Sequence, residues 1–141
     1  MLRLAFLLTL LPTVALADIT GPARVIDGNT IEVAGQRIQL QGVAAPEWNQ
    51  PGGEDAKVAL HRLTTNKRIT CYDTGERLHG RVVAICYLPD SRDIGEVLIR
   101  RGYARDCPRY SGGRYADAEA QAQVNGVYLF RTYRLPGYCR R

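Results

Sequence analysis

Two runs of alternating apolar and polar residues near the start of the chain constrain the fold most strongly. The first run covers residues 30–33, the second covers residues 37–41, and Ala34-Gly35 lies between them. Alternation on both sides of a glycine-containing pair predicts a β-hairpin with one buried face. The side chains expected on that buried face are Ile31, Val33, Ile38 and Leu40.

Helical and strand-like segments follow this hairpin. An apolar stripe of Ala56, Leu60 and Leu63 after a Pro-Gly-Gly break predicts a helix. The other predicted elements are strands over residues 69–72 and 81–87, a polar loop over 74–80, and helices over 93–101 and 115–125. This order predicts an α+β domain built on a curled, OB-type five-stranded β-barrel with about three helices.

Residues 1–17 have the features of a secretory signal peptide. Arg3 provides a positive charge, residues 4–11 form an apolar run too short to span a bilayer, and residues 15–17 suit cleavage. A membrane anchor that the mature protein retains is the alternative. We therefore expect a secreted or periplasmic protein without a stable membrane span, with one domain over residues 18–141.

The chain contains four cysteines, which can form disulfides in an exported protein. Four cysteines allow three pairings. Cys71 and Cys86 lie in two strand-like segments joined by a turn, so we favour a Cys71–Cys86 bond. Cys107 then pairs with Cys139 and tethers the C-terminal tail. A zinc site is the alternative, but the sequence has no C-x-x-C pair and neither histidine lies near a plausible ligand cluster.

The formal net charge is +5 at pH 7, and cleavage of the signal peptide would remove Arg3 and leave about +4. A modest positive excess suits a polyanionic partner such as nucleic acid or anionic lipid. It also suits plain solubility, so charge alone does not identify the partner.

Four segments occur in one order between about Val25 and Phe130. They read "VIDGNTIEV", "GVAAPEWNQPGGEDA", "HGRVVAICY" and "EAQAQVNGVYLF". Together they resemble the staphylococcal nuclease, or thermonuclease-like, family. The resemblance implies an OB-type five-stranded barrel with three helices. It also implies the activity of the well-known members, which are secreted, calcium-dependent phosphodiesterases that cut DNA and RNA.

The resemblance also assigns site residues. Cleaving a phosphodiester requires an activated water and neutralisation of the developing charge, which carboxylates and arginines can provide. Glu47 stands at the position of the family's proposed general base, and Arg81 at that of an arginine that contacts the scissile phosphate. Tyr110 matches a tyrosine of the nucleotide-base pocket. His79 stands where a tyrosine usually precedes the Gly-Arg pair.

Several positions depart from the family pattern. Asp27 is retained as a candidate calcium ligand. Asn29 replaces one calcium-binding aspartate and can still offer a neutral oxygen as a weak ligand, whereas Ala44 replaces the other and offers no side-chain oxygen. Gln39 replaces a second arginine, and glutamine cannot form the charged fork of a guanidinium group. Since calcium affinity depends on the number of charged ligands, the resemblance implies a weakened Ca²⁺ site. Ca²⁺ is therefore the cofactor only if the family mechanism survives.

These departures favour a protein whose calcium-dependent catalysis is lost or much weakened, with Glu47 and Arg81 forming an ordinary ion pair. It would act as a binding module, as a monomer, for nucleic acid or an envelope protein. The alternative is an active secreted or periplasmic endonuclease with another metal geometry that uses Asp27 and Glu47. Reversing the changes with Asn29→Asp, Gln39→Arg and Ala44→Asp is expected to raise calcium-dependent cleavage.

Overall fold

The computed structural model describes residues 18–126 and 128–140, so the predicted signal peptide over residues 1–17 lies outside the described residues. Five strands form a closed barrel in the order β1-β2-β3-β6-β5. Their bounds are β1 Ile19–Asp27, β2 Thr30–Val33, β3 Gln36–Leu40, β5 Arg68–Leu78 and β6 Arg81–Tyr87. A separate two-stranded sheet pairs β4, Val43–Ala44, with β7, Arg105–Asp106. The predicted α+β class and five-stranded barrel are therefore confirmed.

The predicted first hairpin is present as β2 and β3, which pair antiparallel with Ile31 opposite Ile38. All four side chains expected on its inner face are buried. Strand β3 also pairs with β6, in parallel, and places Gln39 beside Val83. Because side chains alternate along a strand, Gln39 and Arg81 are carried to the outside of the barrel near one rim.

The prediction of a polar loop over residues 74–80 is wrong. Strand β5 continues through this stretch to Leu78, and a register irregularity lies between Asp73 and Arg77. The Arg77 guanidinium donates to both carboxylate oxygens of Asp73, at 2.9 Å each. Only His79 and Gly80 remain for the turn into β6. The pairing with β6 therefore extends a strand whose side chains are largely polar and exposed.

Three longer helices cover the barrel, close to the predicted spans. They are α1 Gly53–Thr64, α2 Ile94–Arg100 and α4 Ala116–Val124, and two four-residue helices, α3 Pro108–Ser111 and α5 Leu129–Thr132, accompany them. Helix α1 buries its predicted apolar stripe against the barrel. None of the helices in the described ranges has the length and apolar character needed to cross a membrane.

The C-terminal segment after α4 packs against α3 and the small β4–β7 sheet. The structure joins the cysteines as Cys71–Cys86 and Cys107–Cys139, the two pairs favoured from the sequence. A 3₁₀ turn over Gly137–Cys139 ends the segment. Its buried residues form a second apolar cluster beside the main core, made of Ala44, Cys107, Leu129, Tyr133 and Cys139.

Candidate active site

The turn between β1 and β2 brings Asp27 and Asn29 to the rim of the barrel. The Asn29 backbone N–H donates to Asp27 Oδ1 at 3.1 Å. A Cβ atom on Gly28 would lie 2.7 Å from Ala56 Cβ and 2.9 Å from Ala45 Cβ. Only glycine therefore allows this turn to approach both helix α1 and the segment that leads to Glu47.

The side chain of Asn29 is engaged by the protein itself. Its amide nitrogen donates to the Val43 carbonyl at 3.0 Å. Its amide oxygen lies 3.2 Å from the hydroxyl of Thr30, which is fully buried. Asn29 thus ties the β1–β2 turn to strand β4, a role that a carboxylate could not fill because it has no N–H to donate.

Gln39 and Arg81 are brought together across the parallel pair β3–β6. An Arg81 Nη donates to Gln39 Oε1 at 2.9 Å, and the Thr30 hydroxyl lies 3.3 Å from the same oxygen. The expected ion pair between Arg81 and Glu47 is not among the ion pairs of the described residues. The neutral amide of Gln39 holds Arg81 instead, and it leaves most of the guanidinium's five N–H donors available.

Glu47 follows the buried Pro46 and begins a tight turn before α1. Its backbone N–H donates to Gln50 Oε1 at 2.8 Å, and its carbonyl accepts from the Gln50 N–H at 2.9 Å. A Cβ atom on Gly53 would overlap the Glu47 carbonyl oxygen. The backbone of Glu47 is therefore fixed on both sides, whereas its side chain is exposed at the rim.

Ala44 lies three residues before Glu47, and its side chain faces the protein interior. It is only 3 % exposed and belongs to the apolar cluster formed with the C-terminal segment. The C-terminal segment therefore covers the position at which the family resemblance expects a carboxylate. Within residues 18–126 and 128–140, no three His, Cys, Asp or Glu side chains lie together in a group able to hold a metal ion.

Tyr133 and Tyr138 lie within range of the Glu47 charge, Tyr110 lies near Tyr138, and the sequence predicted only Tyr110. Tyr110, on α3, is 44 % exposed, and Tyr138, in the 3₁₀ turn, is 61 % exposed. Burial, followed by the charge of Glu47 and the nearby Tyr110, raises the pKa of Tyr138. The Tyr133 hydroxyl donates to the Ala45 carbonyl at 3.2 Å. Burial is the main cause that raises the pKa of Tyr133 to about 12, with the charges of Tyr138 and Glu47 adding to it.

The predicted Cys107–Cys139 bond was the signal that could have revealed these tyrosines. Cys107 directly precedes α3, which carries Tyr110, and Tyr138 directly precedes Cys139. The disulfide therefore brings the two tyrosines to the same side of the domain. His79, by contrast, lies exposed in the turn between β5 and β6, two residues before Arg81.

Comparison of the sequence with known proteins identifies the family of this chain. Residues 37–130 match the family model described as staphylococcal nuclease homologue. The succinoglycan biosynthesis protein ExoI of Rhizobium meliloti (strain 1021) is 36 % identical over 128 residues, which cover 83 % of this chain and 67 % of that protein. An uncharacterized endonuclease of Escherichia coli is 33 % identical over 120 residues, which cover 79 % of this chain and 78 % of that protein.

A plant relative is similar over a shorter stretch. The probable staphylococcal-like nuclease CAN1 of Oryza sativa subsp. japonica is 35 % identical over 68 residues, which cover 48 % of this chain and 20 % of that protein. The family model covers three of the five barrel strands, β3, β5 and β6, together with α1, α2 and α4, and it begins after β1 and β2. From this match and the two bacterial relatives, we conclude that the chain belongs to the staphylococcal nuclease family.

Proposed function

We propose that this protein is an exported nucleic-acid-binding member of the staphylococcal nuclease family whose calcium-dependent cleavage of phosphodiesters is weak. The proposal rests on one observation, that the side chains of Asn29 and Ala44 at the rim serve the packing of the protein and not the binding of a cation. The Asn29 side chain is used to tie two strands together, and Ala44 is packed into an apolar cluster. Family membership and the positive net charge of +5 support nucleic acid as the partner.

The donor set at the rim does not fit a tightly bound Ca²⁺. This ion takes six to eight oxygen ligands, and its affinity rises with the number of carboxylates among them. Asp27 contributes one carboxylate, of which one oxygen already accepts the Asn29 N–H. The Asn29 oxygen is neutral and lies against the Thr30 hydroxyl. Ala44 has no side-chain oxygen, so the rim offers too few charged oxygens to hold this ion firmly.

Two side chains at the rim remain suited to phosphodiester chemistry. The exposed carboxylate of Glu47, on a fixed backbone, can accept a proton from an attacking water. Arg81 keeps N–H donors free and can bind two phosphate oxygens with parallel hydrogen bonds. Without a second arginine and a firmly held cation, the charge that develops on the phosphate is poorly neutralised. Loss of one such group typically slows a reaction by about two to three decades.

The proposal is tested by measuring the cleavage of labelled single-stranded DNA by the purified protein with millimolar calcium. We expect slow cleavage that Glu47→Gln abolishes, with binding of the DNA retained. The matched control is Glu54→Gln, which changes an exposed acid in the first turn of α1 and should leave the rate unchanged. Rapid cleavage that saturates at micromolar calcium would contradict weak activity. A slow rate that Glu47→Gln leaves unaltered would contradict the role of Glu47.

An active endonuclease that uses another cation geometry is the second candidate. The name of the Escherichia coli relative favours it, as does the retention of Glu47 and Arg81. It requires a divalent ion near Asp27 and Glu47. Titration calorimetry with Mg²⁺, Mn²⁺ and Ca²⁺ should then detect binding that Asp27→Asn removes. Absence of heat at millimolar concentrations would rule it out.

Export is part of the proposal because of the two disulfides. Disulfides persist in oxidising compartments such as the periplasm or the extracellular medium. Cell fractionation followed by thiol labelling should find the protein outside the cytoplasm with its cysteines blocked to the label. Reactive thiols on the native protein would contradict this localisation.

A further inference from the structure

The C-terminal segment forms a basic pocket next to the rim. The pocket has a volume of about 520 Å³, and its lining includes Arg105, Phe130, Arg131, Tyr133, Arg134 and Arg140 but no acidic side chain. Such a concentration of guanidinium groups, with aromatic rings beside them, is typical of surfaces that bind a polyanion.

One of the four arginines is already committed to the protein. Arg105 lies over the Phe130 ring, 4.6 Å from its centroid, and donates twice to Glu119 Oε1, at 2.8 and 3.0 Å. Arg131, Arg134 and Arg140 are exposed and have no ion-pair partner among the described residues. Among the described residues, the pocket therefore carries three guanidinium groups that no ion pair neutralises.

The pocket is held at a fixed place relative to the candidate active site. Tyr133 lines it and donates through its hydroxyl to the Ala45 carbonyl, two residues before Glu47. Arg140 directly follows Cys139, which is fully buried and bonded to Cys107. The three arginines therefore lie on a segment that the disulfide and the apolar cluster anchor at Leu129, Tyr133 and Cys139.

We propose that this C-terminal pocket binds backbone phosphates of a single-stranded nucleic acid whose neighbouring nucleotides lie at the Glu47 rim. The proposal rests on the nucleic-acid binding proposed above and extends it to a second phosphate site. Arginine suits this role because its planar fork binds two phosphate oxygens together. The exposed ring of Tyr138 lies within range of the Glu47 charge, the exposed ring of Tyr110 lies near Tyr138, and both rings offer faces for stacking unpaired bases. Stacking of this kind favours a single strand over a duplex.

The test measures the binding of a fluorescent single-stranded oligonucleotide by anisotropy, with a chelator present so that no cleavage occurs. The variant is Arg131→Ala/Arg134→Ala/Arg140→Ala. The matched control is Arg62→Ala/Arg68→Ala/Arg101→Ala. It removes three exposed arginines that likewise lack an ion-pair partner among the described residues and that line no part of the C-terminal pocket.

We expect the C-terminal variant to bind at least tenfold more weakly than the control variant at low salt. The slope of log K against log salt should fall by about two, since each phosphate contact on a single strand contributes about 0.7. Equal affinities and equal slopes for the two variants would overturn the proposal. Thermal unfolding of both variants checks that the exposed substitutions leave the fold intact.

Other outcomes separate this inference from the proposed function. If the wild type binds and slowly cleaves DNA but both variants behave alike, the inference fails and the proposed function stands. If the wild type binds no single-stranded DNA, both fail. Selective binding of vesicles that contain phosphatidylglycerol, lost in the C-terminal variant, would overturn the nucleic-acid assignment in favour of a membrane surface. An unchanged rate at saturating DNA would support a binding role for these arginines.

Discussion

Ala44→Asp would place a carboxylate where the family resemblance expects one, and we predict that it destabilises the protein instead of creating a cation site. Ala44 is 3 % exposed and packs among Cys107, Leu129, Tyr133 and Cys139. A charge buried without a partner costs several kcal/mol even after relaxation. The added atoms also overpack a small site, which typically costs about 1–3 kcal/mol.

The neighbouring strand offers no compensation for that charge. Ala44 pairs with Arg105 in β7, but the Arg105 guanidinium is bound to Glu119. Asp106, the next residue, is itself 5 % exposed, and its Oδ1 has no hydrogen-bond partner in the described structure. We therefore expect Ala44→Asp to lower the free energy of unfolding by about 3 kcal/mol at pH 7. For a domain of this size the midpoint should fall by roughly 10 °C.

Ala44→Asn is the matched control, because it has the same size without the charge. Burial would raise the pKa of the introduced carboxyl above its ordinary value near 4. At a pH below the ordinary carboxyl pKa, the aspartate and the asparagine at position 44 are both neutral, so the free energies of unfolding of the two variants should be similar. The aspartate variant should lose stability relative to the asparagine variant as the pH rises through the raised pKa.

Denaturant unfolding at several pH values, with and without calcium, measures this effect. Two results would refute the reasoning. One is an aspartate variant as stable as the wild type at pH 7. The other is a gap between the aspartate and asparagine variants that does not change with pH. Stabilisation of the aspartate variant by micromolar calcium would show that the carboxylate reaches a cation and that the C-terminal segment does not seal this position.

Three further predictions concern the supports of the site. Gly53→Ala should push the Glu47 backbone away and lower the cleavage rate by about a hundredfold, while anisotropy shows unchanged DNA binding. Cys107→Ser/Cys139→Ser opens a link across 32 residues and should lower the free energy of unfolding, measured in denaturant, by about 4 kcal/mol. Burial raises the pKa of the Asp93 carboxyl. The contribution of this group to stability is therefore full below its unfolded-state pKa and is lost as the pH rises through its folded-state pKa. The free energy of unfolding of Asp93→Asn should lack this pH dependence.

Each of these predictions has a control. Gly21→Ala adds a methyl group that would lie 3.6 Å from Val33 Cγ1, an ordinary contact, so normal cleavage is expected. Cys71→Ser/Cys86→Ser opens the shorter link of 15 residues and should lower the free energy of unfolding by less, about 3 kcal/mol. For Asp93, the stability difference between wild type and variant is compared across pH. A stability difference that stays constant from acid to neutral pH would contradict the raised pKa of Asp93.

The sequence was sufficient to predict elements whose pattern is local. The first hairpin and helix α1 show a regular spacing of apolar residues, and strand β6 is a nearly continuous apolar run. A glycine-containing turn lies inside the hairpin and directly before each of the other two elements. The sequence predicts only the first part of strand β5, because the second half is polar and shows no apolar periodicity. That half is a strand because it pairs with β6. Helices α3 and α5 have four residues each, which is too short to show a helical period.

The site was predictable as a set of positions but not as a set of contacts. Glu47 and Arg81 are complementary charges, so an ion pair was the natural expectation. The structure pairs Arg81 with Gln39 because β3 and β6 lie side by side, a parallel contact between distant segments. The approach of Tyr138 to Glu47 depends on how the tail folds back, which residue spacing does not encode.

The packing of the C-terminal segment depends on the alanine at position 44. A carboxylate at this position would require water or a cation nearby, and both are incompatible with the apolar cluster that holds the segment. An alanine lets the segment seal the position, and the segment then presents Arg131, Arg134 and Arg140, which have no ion-pair partner within residues 18–126 and 128–140. On our proposal, the residue that weakens the cation site is thus the one that allows a second phosphate site. An acidic residue at position 44 should therefore loosen the C-terminal segment and weaken the affinity for a strand without restoring cleavage.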